Sequence, residues 1–291
     1  MLLLLASGFF MPIMAMSVDV VFSAIAPLWW MVQVLAIGLA VPFIALAANA
    51  PLMQHWYTQT TLRGAHDPYF LYSASNLASF LALFSYLLLV EPLFGLAEQQ
   101  QLWSLSFTGF IALVVASVLT MRRYPRNDGR VRHHALQASM RITPQQRVWW
   151  VALAAIPSSL MLGVTSYIST DMASVPLLWV VPLALYLLTF VLAFRSSATN
   201  APMIRTQLVL TCMVIAGMMI MERARLLLMM VLQLALFFVA ARACHGQLAQ
   251  RKPEPAHLGE FYLWIALGGA LGGMFNTLLA PLLFNTVWEY P

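Results

Sequence analysis

Charged residues are scarce in this sequence. Only 9% of the 291 residues are Asp, Glu, Lys or Arg, whereas 62% are hydrophobic. A soluble domain carries about 25% charged residues, which help to keep its surface in water. So few charges exclude an ordinary soluble globular protein and predict an all-α integral membrane protein. The net charge of +5 is therefore first a signal of topology, and no nucleic-acid partner is expected.

Cysteines and catalytic patterns are scarce as well. The two cysteines, Cys212 and Cys244, lie on separate predicted helices, so neither a disulfide framework nor a metal site is expected. Met1 is followed directly by leucines, without the basic segment of a cleavable signal peptide. No arrangement of nucleophile, acid and base is evident, so an enzymatic activity of this chain is uncertain, and no cofactor is expected.

Long apolar segments dominate what is present. A helix needs about 20 apolar residues to cross the hydrocarbon core. The pattern predicts about nine transmembrane helices, and the first one looks truncated because it begins at the first residue. No Asp, Glu, Lys or Arg is expected near the middle of any span, so a central ligand would meet Asn, Ser, Thr, Tyr and Trp. The predicted spans are 1–16, 27–50, 69–90, 103–121, 148–168, 177–194, 206–221, 226–243 and 261–284.

The distribution of basic residues orients these helices. If the loop 122–147 is cytoplasmic, 13 of the 15 Lys and Arg residues face the cytoplasm, and only Arg223 and Arg225 do not. Seven arginines lie between Arg122 and Arg147, so this loop is expected to attract anionic lipid. The sequence thus predicts a multi-pass protein of a bacterial inner membrane with loop 122–147 inside. His245 is expected just after the inner end of its helix, where it either senses cytoplasmic pH or belongs to a polar turn.

Two segments of the chain resemble each other. At an offset of 193 positions, Asp67 corresponds to Glu260, Tyr69 to Tyr262, and two serines of the first segment to two glycines of the second. Both segments follow a helix that ends in a polar turn predicted to be cytoplasmic. The repeat relates the third span to the ninth, so its period is six helices.

A parallel six-helix repeat is the plan of major-facilitator transporters. With the basic loop as the central loop, the nine spans correspond to helices 3–11 of the twelve-helix plan. Helices 1, 2 and 12 are then missing. The predicted domains are an N-terminal membrane half, 1–121, with four helices, a central loop, 122–147, and a C-terminal half, 148–291, with five helices.

The repeated helices carry small and polar residues on one face. Small residues four positions apart allow close helix approach, and asparagines can form hydrogen bonds across such a seam. The alternative is that these faces line a central cavity. The candidates for a helix seam or cavity are Tyr72, Ser75, Asn76, Ser79, Gly268, Gly272 and Asn276.

A second group of candidates lies at the outer end of the fifth span. Asp171 ends the stretch TSYISTD. It is either a helix-capping or solvated loop acid, or part of an outer gate or a cation contact. Aromatic residues at that depth also fit an interfacial belt. The outer-gate candidates are Ser166, Tyr167, Thr170, Asp171 and Trp179.

Several stretches are similar to one protein family. These include DPYFLYSASNLASFLALFSYLLLVEP, ISTDMASVPLLWVVPL, HLGEFYLW and FNTLLAPLLFNTVWEYP. Together they resemble the membrane portion of bacterial fused major-facilitator/spermidine-synthase-like proteins. The resemblance implies further helices on both sides and a soluble aminopropyltransferase-like domain, none of which is present in this sequence. No glycine-rich strand-to-helix turn or acidic cluster is present, so the catalytic residues of that family cannot be assigned to any position.

Two functions remain open on this sequence. The chain is either a membrane module that anchors or serves an aminopropyltransferase-like domain, or a solute transporter of unknown substrate. In the first case the domain would be a covalent neighbour or the product of an adjacent gene.

Overall fold

The computed structural model describes residues 27–62, 64–65, 67–124, 142–169, 178–195, 205–206, 209, 211–213 and 226–283. Side chains of residues 27–39, 41–42 and 226–227 are outside this description. Throughout these ranges the regular structure is helical, without a β-strand. The long helices are α1 (Pro27–Thr58), α2 (Phe70–Ser85), α3 (Leu96–Arg123), α4 (Pro144–Tyr167), α5 (Val180–Arg195), α6 (Leu226–Gln250) and α7 (Leu258–Met274).

Five helical segments are long and apolar enough to cross a membrane, which indicates an all-α membrane protein. Two further predicted spans correspond to α1, with 32 residues, and to the shorter apolar helix α5. The predicted span 1–16 lies outside the described residues, and only fragments of 206–221 are described. The five segments are Phe70–Leu93, Leu96–Arg123, Pro144–Tyr167, Leu228–Gln250 and Pro255–Leu283.

Local sequence signals account for two of the helix starts. The Thr143 hydroxyl accepts a 3.3 Å hydrogen bond from the Gln146 amide, and Pro144 occupies the first position of α4, where its missing N–H costs nothing. At α3, the backbone N–H of Gly95 donates a 2.8 Å bond to Oε2 of Glu98. Each contact satisfies a backbone donor that the helix leaves unpaired.

The contacts divide the chain into two compact units. The smaller unit comprises Met1–Ala65 and Tyr86–Asp128. Its apolar cluster joins Ala45 of α1 to Val114 of α3. The predicted domain boundaries at 121 and 148 remain a prediction.

The larger unit comprises His66–Ser85 and Gly129–Pro291. In it α7 runs parallel to α4, because Gly268, Gly272 and Asn276 each contact a residue 117 positions earlier in the chain. Helix α2 is antiparallel to α5, and α6 is antiparallel to α4. These directions agree with the alternation that the predicted topology requires. The core contains the fully buried side chains of Trp150, Leu248 and Phe261.

The two repeated helices are interrupted at corresponding places. A π-helical turn, Tyr86–Val90, follows α2, and another, Phe275–Leu279, follows α7. A proline comes six residues after each turn begins, at Pro92 and Pro281. Proline has no N–H and its ring collides with the carbonyl four residues back, so a widened turn before it relieves the clash. The two π-helical turns are 189 positions apart. This offset is about one helical turn shorter than the offset of 193 positions that relates the two repeated segments.

Candidate functional site

Polar side chains join several helices at one end of the larger unit. The segments that meet there are the start of α2, the start of α4, the end of α6 and the start of α7. We call this group the end cluster. Its residues are Asp67, Tyr69, Arg147, Trp150, Arg251, Lys252 and Glu260.

One half of the end cluster links α2 to the turn after α6. Nζ of Lys252 lies 2.9 Å and 3.1 Å from the two carboxylate oxygens of Asp67. The same ammonium lies 4.9 Å from the ring centroid of Tyr69, and the Tyr69 hydroxyl donates a 2.7 Å bond to the Pro253 carbonyl. The Tyr69 side chain is thus held by a hydrogen bond at its hydroxyl and a cation over its ring.

The surroundings of Tyr69 raise the pKa of its phenol well above the ordinary value of about 10. Burial is the largest cause, followed by the negative charges of Asp67 and Glu254. The phenol therefore stays protonated and can donate its hydrogen bond to the Pro253 carbonyl.

The other half of the end cluster links α4 to α6 and α7. Nε of Arg147 donates a 2.7 Å hydrogen bond to Oε1 of Glu260. Nε1 of Trp150 donates a 3.0 Å bond to the Arg251 carbonyl. Trp264, one turn into α7, also donates to Glu260, at 3.3 Å. Asp67 and Glu260 are corresponding positions of the internal repeat. Each carboxylate accepts a hydrogen bond from a basic side chain at this end of the unit.

The glycines of the second repeat lie where α7 touches α4. A Cβ added at Gly268 would lie 2.5 Å from the Val151 carbonyl oxygen, and one added at Gly272 would collide with the backbone of Ala155. Gly268 and Gly272 are buried. At these two positions only glycine fits the close approach, and the structure places both in a helix seam.

Hydrogen bonds across the same seam fix its register. The Ser158 hydroxyl donates a 2.9 Å bond to the Gly269 carbonyl. The Asn276 amide donates to the carbonyl and the hydroxyl oxygen of Ser159. Asn276 therefore points at α4.

The first repeat does not use the corresponding face. Ser75 and Ser79 are exposed, so α2 forms no seam through these serines with the described residues, and the cavity alternative stays a prediction. The helix packs instead through Tyr69, Tyr72 and Ser73, which share a face by their spacing of three and four. The Ser73 hydroxyl donates a 3.1 Å bond to the Val191 carbonyl. Asn76 donates to the Tyr72 carbonyl of its own helix, at 2.8 Å, and not across a seam.

Aromatic rings dominate the contact that α2 does make. Tyr72 packs edge-on against Phe190, with ring centroids 5.4 Å apart, and against Phe194 at 5.0 Å. A third ring, that of Tyr262 on α7, lies 4.8 Å away. Aromatic rings thus form this contact, whereas the contact of α7 with α4 brings glycines against backbone atoms.

Three of the five outer-gate candidates lie within the described residues. Ser166 is exposed and Tyr167 is half-buried near the end of α4. Trp179, just before α5, is 47% exposed. Thr170 and Asp171 lie outside the described residues.

A buried polar group between α5 and α6 was missed by the sequence analysis. Helix α6 continues to Gln250, seven residues beyond the predicted end at 243, so Arg242 and His245 lie inside an apolar span. Arg242 is 5% exposed and His245 is fully buried. The expectation that His245 lies in a polar turn is therefore wrong, because His245 is buried inside α6. Arg242 lies farther from the end of its span than predicted.

The bonds of this group join two helices. Nδ1 of His245 lies 2.8 Å from the Thr189 hydroxyl, and its ring stacks on Phe190 with centroids 3.6 Å apart. A guanidinium nitrogen of Arg242 donates a 3.3 Å bond to the Leu192 carbonyl. The second terminal nitrogen of Arg242 and Nε2 of His245 are buried without a hydrogen-bond partner among the described residues.

This buried group is chemically unusual for a membrane span. Ionisable residues inside membrane spans are costly and commonly mark ligand or ion pathways. Arg242 forms no ion pair with any residue in the described part of the chain. The described residues also contain no group of three His, Cys, Asp or Glu side chains that could hold a metal ion.

Comparisons of this chain with protein-family models, with curated proteins and with solved structures found no match.

Proposed function

We propose that this chain is the membrane module of a major-facilitator/spermidine-synthase-like protein, and that it anchors or serves a soluble aminopropyltransferase-like domain. In this proposal nine spans correspond to helices 3–11 of the twelve-helix plan. The module lies in a bacterial inner membrane with loop 122–147 in the cytoplasm. The support from the sequence is the family resemblance and the distribution of basic residues.

The observation that carries the anchoring role is the end cluster. Cross-helix bonds from Tyr69, Arg147, Trp150 and Lys252 hold several helix ends together, so this end of the larger unit is a fixed polar surface. A soluble domain needs such a surface outside the apolar spans. The positive-inside bias favours a cytoplasmic location for this end, where an aminopropyltransferase-like domain would meet its substrates.

The binding of a soluble partner tests this role. The DNA on both sides of the reading frame is first searched for an aminopropyltransferase-like domain, which is then purified and passed over the immobilised full chain in detergent. We expect retention, and we expect Lys252→Glu to weaken it about tenfold by reversing a charge at the contact rim. Trp179→Ala, at the opposite end of the larger unit, should leave retention unchanged. Absence of such a reading frame, or equal retention by both variants, would contradict the anchoring role.

The second candidate, a solute transporter, is favoured by Arg242 and His245. A buried guanidinium without an acidic partner among the described residues attracts an anionic ligand and repels a polycation such as spermidine. Uptake of radiolabelled succinate and of spermidine into proteoliposomes distinguishes the two candidates. Succinate uptake that Arg242→Met abolishes would support transport, and absence of uptake of both compounds would count against it.

A further inference from the structure

The smaller unit contains a cavity at the ends of α1 and α3. Its volume is about 350 Å³, which falls within the range of ligand sites in proteins. Polar and aromatic side chains form much of its wall, and Val118 and Met121 form an apolar part. The side chains that the argument below uses are Trp56, Gln59, Thr60, Arg122 and Tyr124.

Arg122 is the charged group of this cavity. Its side chain is exposed and forms no ion pair with the residues that the structure describes. Two of the other polar groups, Thr60 and Gln59, are engaged locally. The Thr60 hydroxyl donates to the Tyr57 carbonyl at 2.8 Å, and the side-chain nitrogen of Gln59 lies 3.0 Å from Nε2 of His55. The guanidinium is thus the group that can bind an anion, and its planar donors suit a phosphate.

The position of the cavity favours the phosphate of a lipid over a soluble phosphate. The membrane-span candidate Leu96–Arg123 ends one residue after Arg122, so the cavity lies at the end of an apolar helix. Trp56 and Tyr124 are of the types that occupy the membrane–water interface. Val118 lies one turn deeper along α3, where an acyl chain would run. A soluble phosphate would leave this apolar wall unused.

A second cavity at the other end of α3 provides a contrast. It has a similar volume, about 360 Å³, but its charged group is Glu98. The carboxylate of Glu98 is engaged with the Gly95 amide. Two cavities of similar size at opposite ends of one helix therefore differ in charge.

We propose that the Arg122 cavity binds the phosphate headgroup of an anionic phospholipid, with an acyl chain against Val118 and Met121. Both helices end here, and the negative ends of their dipoles disfavour an anion at the backbone. Binding therefore depends on the arginine. This site is independent of the anchoring role proposed above, and it turns the general attraction of a basic loop for lipid into a defined site.

Tryptophan quenching by brominated lipids tests the site in the full chain. The protein is reconstituted into vesicles of zwitterionic phosphatidylcholine that contain a small fraction of brominated phosphatidylglycerol or brominated phosphatidylcholine. The difference between the wild type and Trp56→Phe isolates the signal of Trp56. We expect about fivefold preferential quenching by the anionic lipid, from the attraction of one basic residue. Arg122→Gln should abolish this preference, whereas Gln101→Ala, in the second cavity, should retain it.

Three outcomes would overturn the proposal. Equal quenching of Trp56 by both lipids would mean that the ring only lies at the interface. If the preference for anionic lipid survives Arg122→Gln, the surrounding basic loop, and not the cavity, is its cause. Displacement of the brominated lipid by millimolar inorganic phosphate would make the cavity a site for a free anion. The melting temperature of Arg122→Gln should equal that of the wild type, since the side chain is exposed and makes no ion pair in the described structure.

Discussion

Nε of Arg147 donates a 2.7 Å hydrogen bond to Oε1 of Glu260, and this ion pair joins the first turns of α4 and α7. Since the two helices run parallel with their backbones in contact at Gly268 and Gly272, the pair closes one end of a long seam. The bonds of Asn276 close the other end. The two charged side chains are 38% and 29% exposed, so solvent screens part of their attraction.

A double-mutant cycle measures this ion pair. For Arg147→Met and Glu260→Gln we expect a coupling free energy of about 0.2–1 kcal/mol, the range of partly exposed pairs. The coupling should shrink when salt rises from 50 to 500 mM. Unfolding in detergent, followed by tryptophan fluorescence, gives the values. A coupling that does not change with salt would show that the two side chains do not attract each other as charges.

Substitution of the seam glycine tests the close approach of α4 and α7. Gly272→Ala places a methyl group against the Ala155 backbone, which cannot yield as a flexible side chain could. Overpacking of this kind costs roughly 1–3 kcal/mol. We expect a lower free energy of unfolding and a lower yield of folded protein.

Gly269 provides the matched control. A Cβ at this position meets no atom within 4 Å. Gly269→Ala should therefore gain up to about 1 kcal/mol from the higher helix propensity of alanine. Opposite signs for substitutions three residues apart would locate the seam, whereas equal effects would contradict it.

The sequence predicted the helices better than it predicted their contacts. Hydrophobicity and length suffice to predict spans, because every backbone group in lipid must be satisfied inside a helix. Glycines four apart at Gly268 and Gly272 also signal a close approach. The corresponding serines of α2 gave the same signal but are exposed, because the rings of Tyr69 and Tyr72 form the contact instead.

The buried polar group formed by Arg242 and His245 could not be predicted from the sequence, for a different reason. Arg242 is the second-last residue of the predicted span 226–243, so the prediction placed it beside water at the inner end of that span. The helix continues because ARACHGQLAQ contains good helix formers and is held by α4 and α5. No property of residues 242 and 245 alone reveals that Thr189, 56 residues away, meets the imidazole.

Removal of one hydroxyl tests the contact between α2 and the turn after α6. Tyr69→Phe loses the 2.7 Å bond to Pro253, and we expect a loss of about 0.5–1.5 kcal/mol at neutral pH. The raised pKa sets the pH dependence. The wild-type advantage is complete below the ordinary phenol pKa of about 10 and falls above it, because the unfolded chain then loses the proton first. Unfolding at pH 8 and pH 11 measures the change, and a constant difference would contradict the assigned cause.

The two asparagines of the repeat should respond differently to the same substitution. Asn276 donates across the seam to Ser159, so Asn276→Leu loses an interhelical hydrogen bond. Polar contacts of this kind in membranes contribute about 0.6 kcal/mol on average, and up to about 1.7. Within the described part of the chain Asn76 donates to Tyr72 of its own helix and not to another helix. Leucine is the better helix former, so Asn76→Leu should leave stability unchanged or slightly higher. Thermal unfolding in one detergent compares the two variants. Asn276→Asp keeps the size but replaces the donor with an acceptor facing the Ser159 carbonyl, and should be less stable than Asn276→Leu. If both leucine variants lose the same stability, the amide of Asn276 has no special role and the seam is held by its glycines alone.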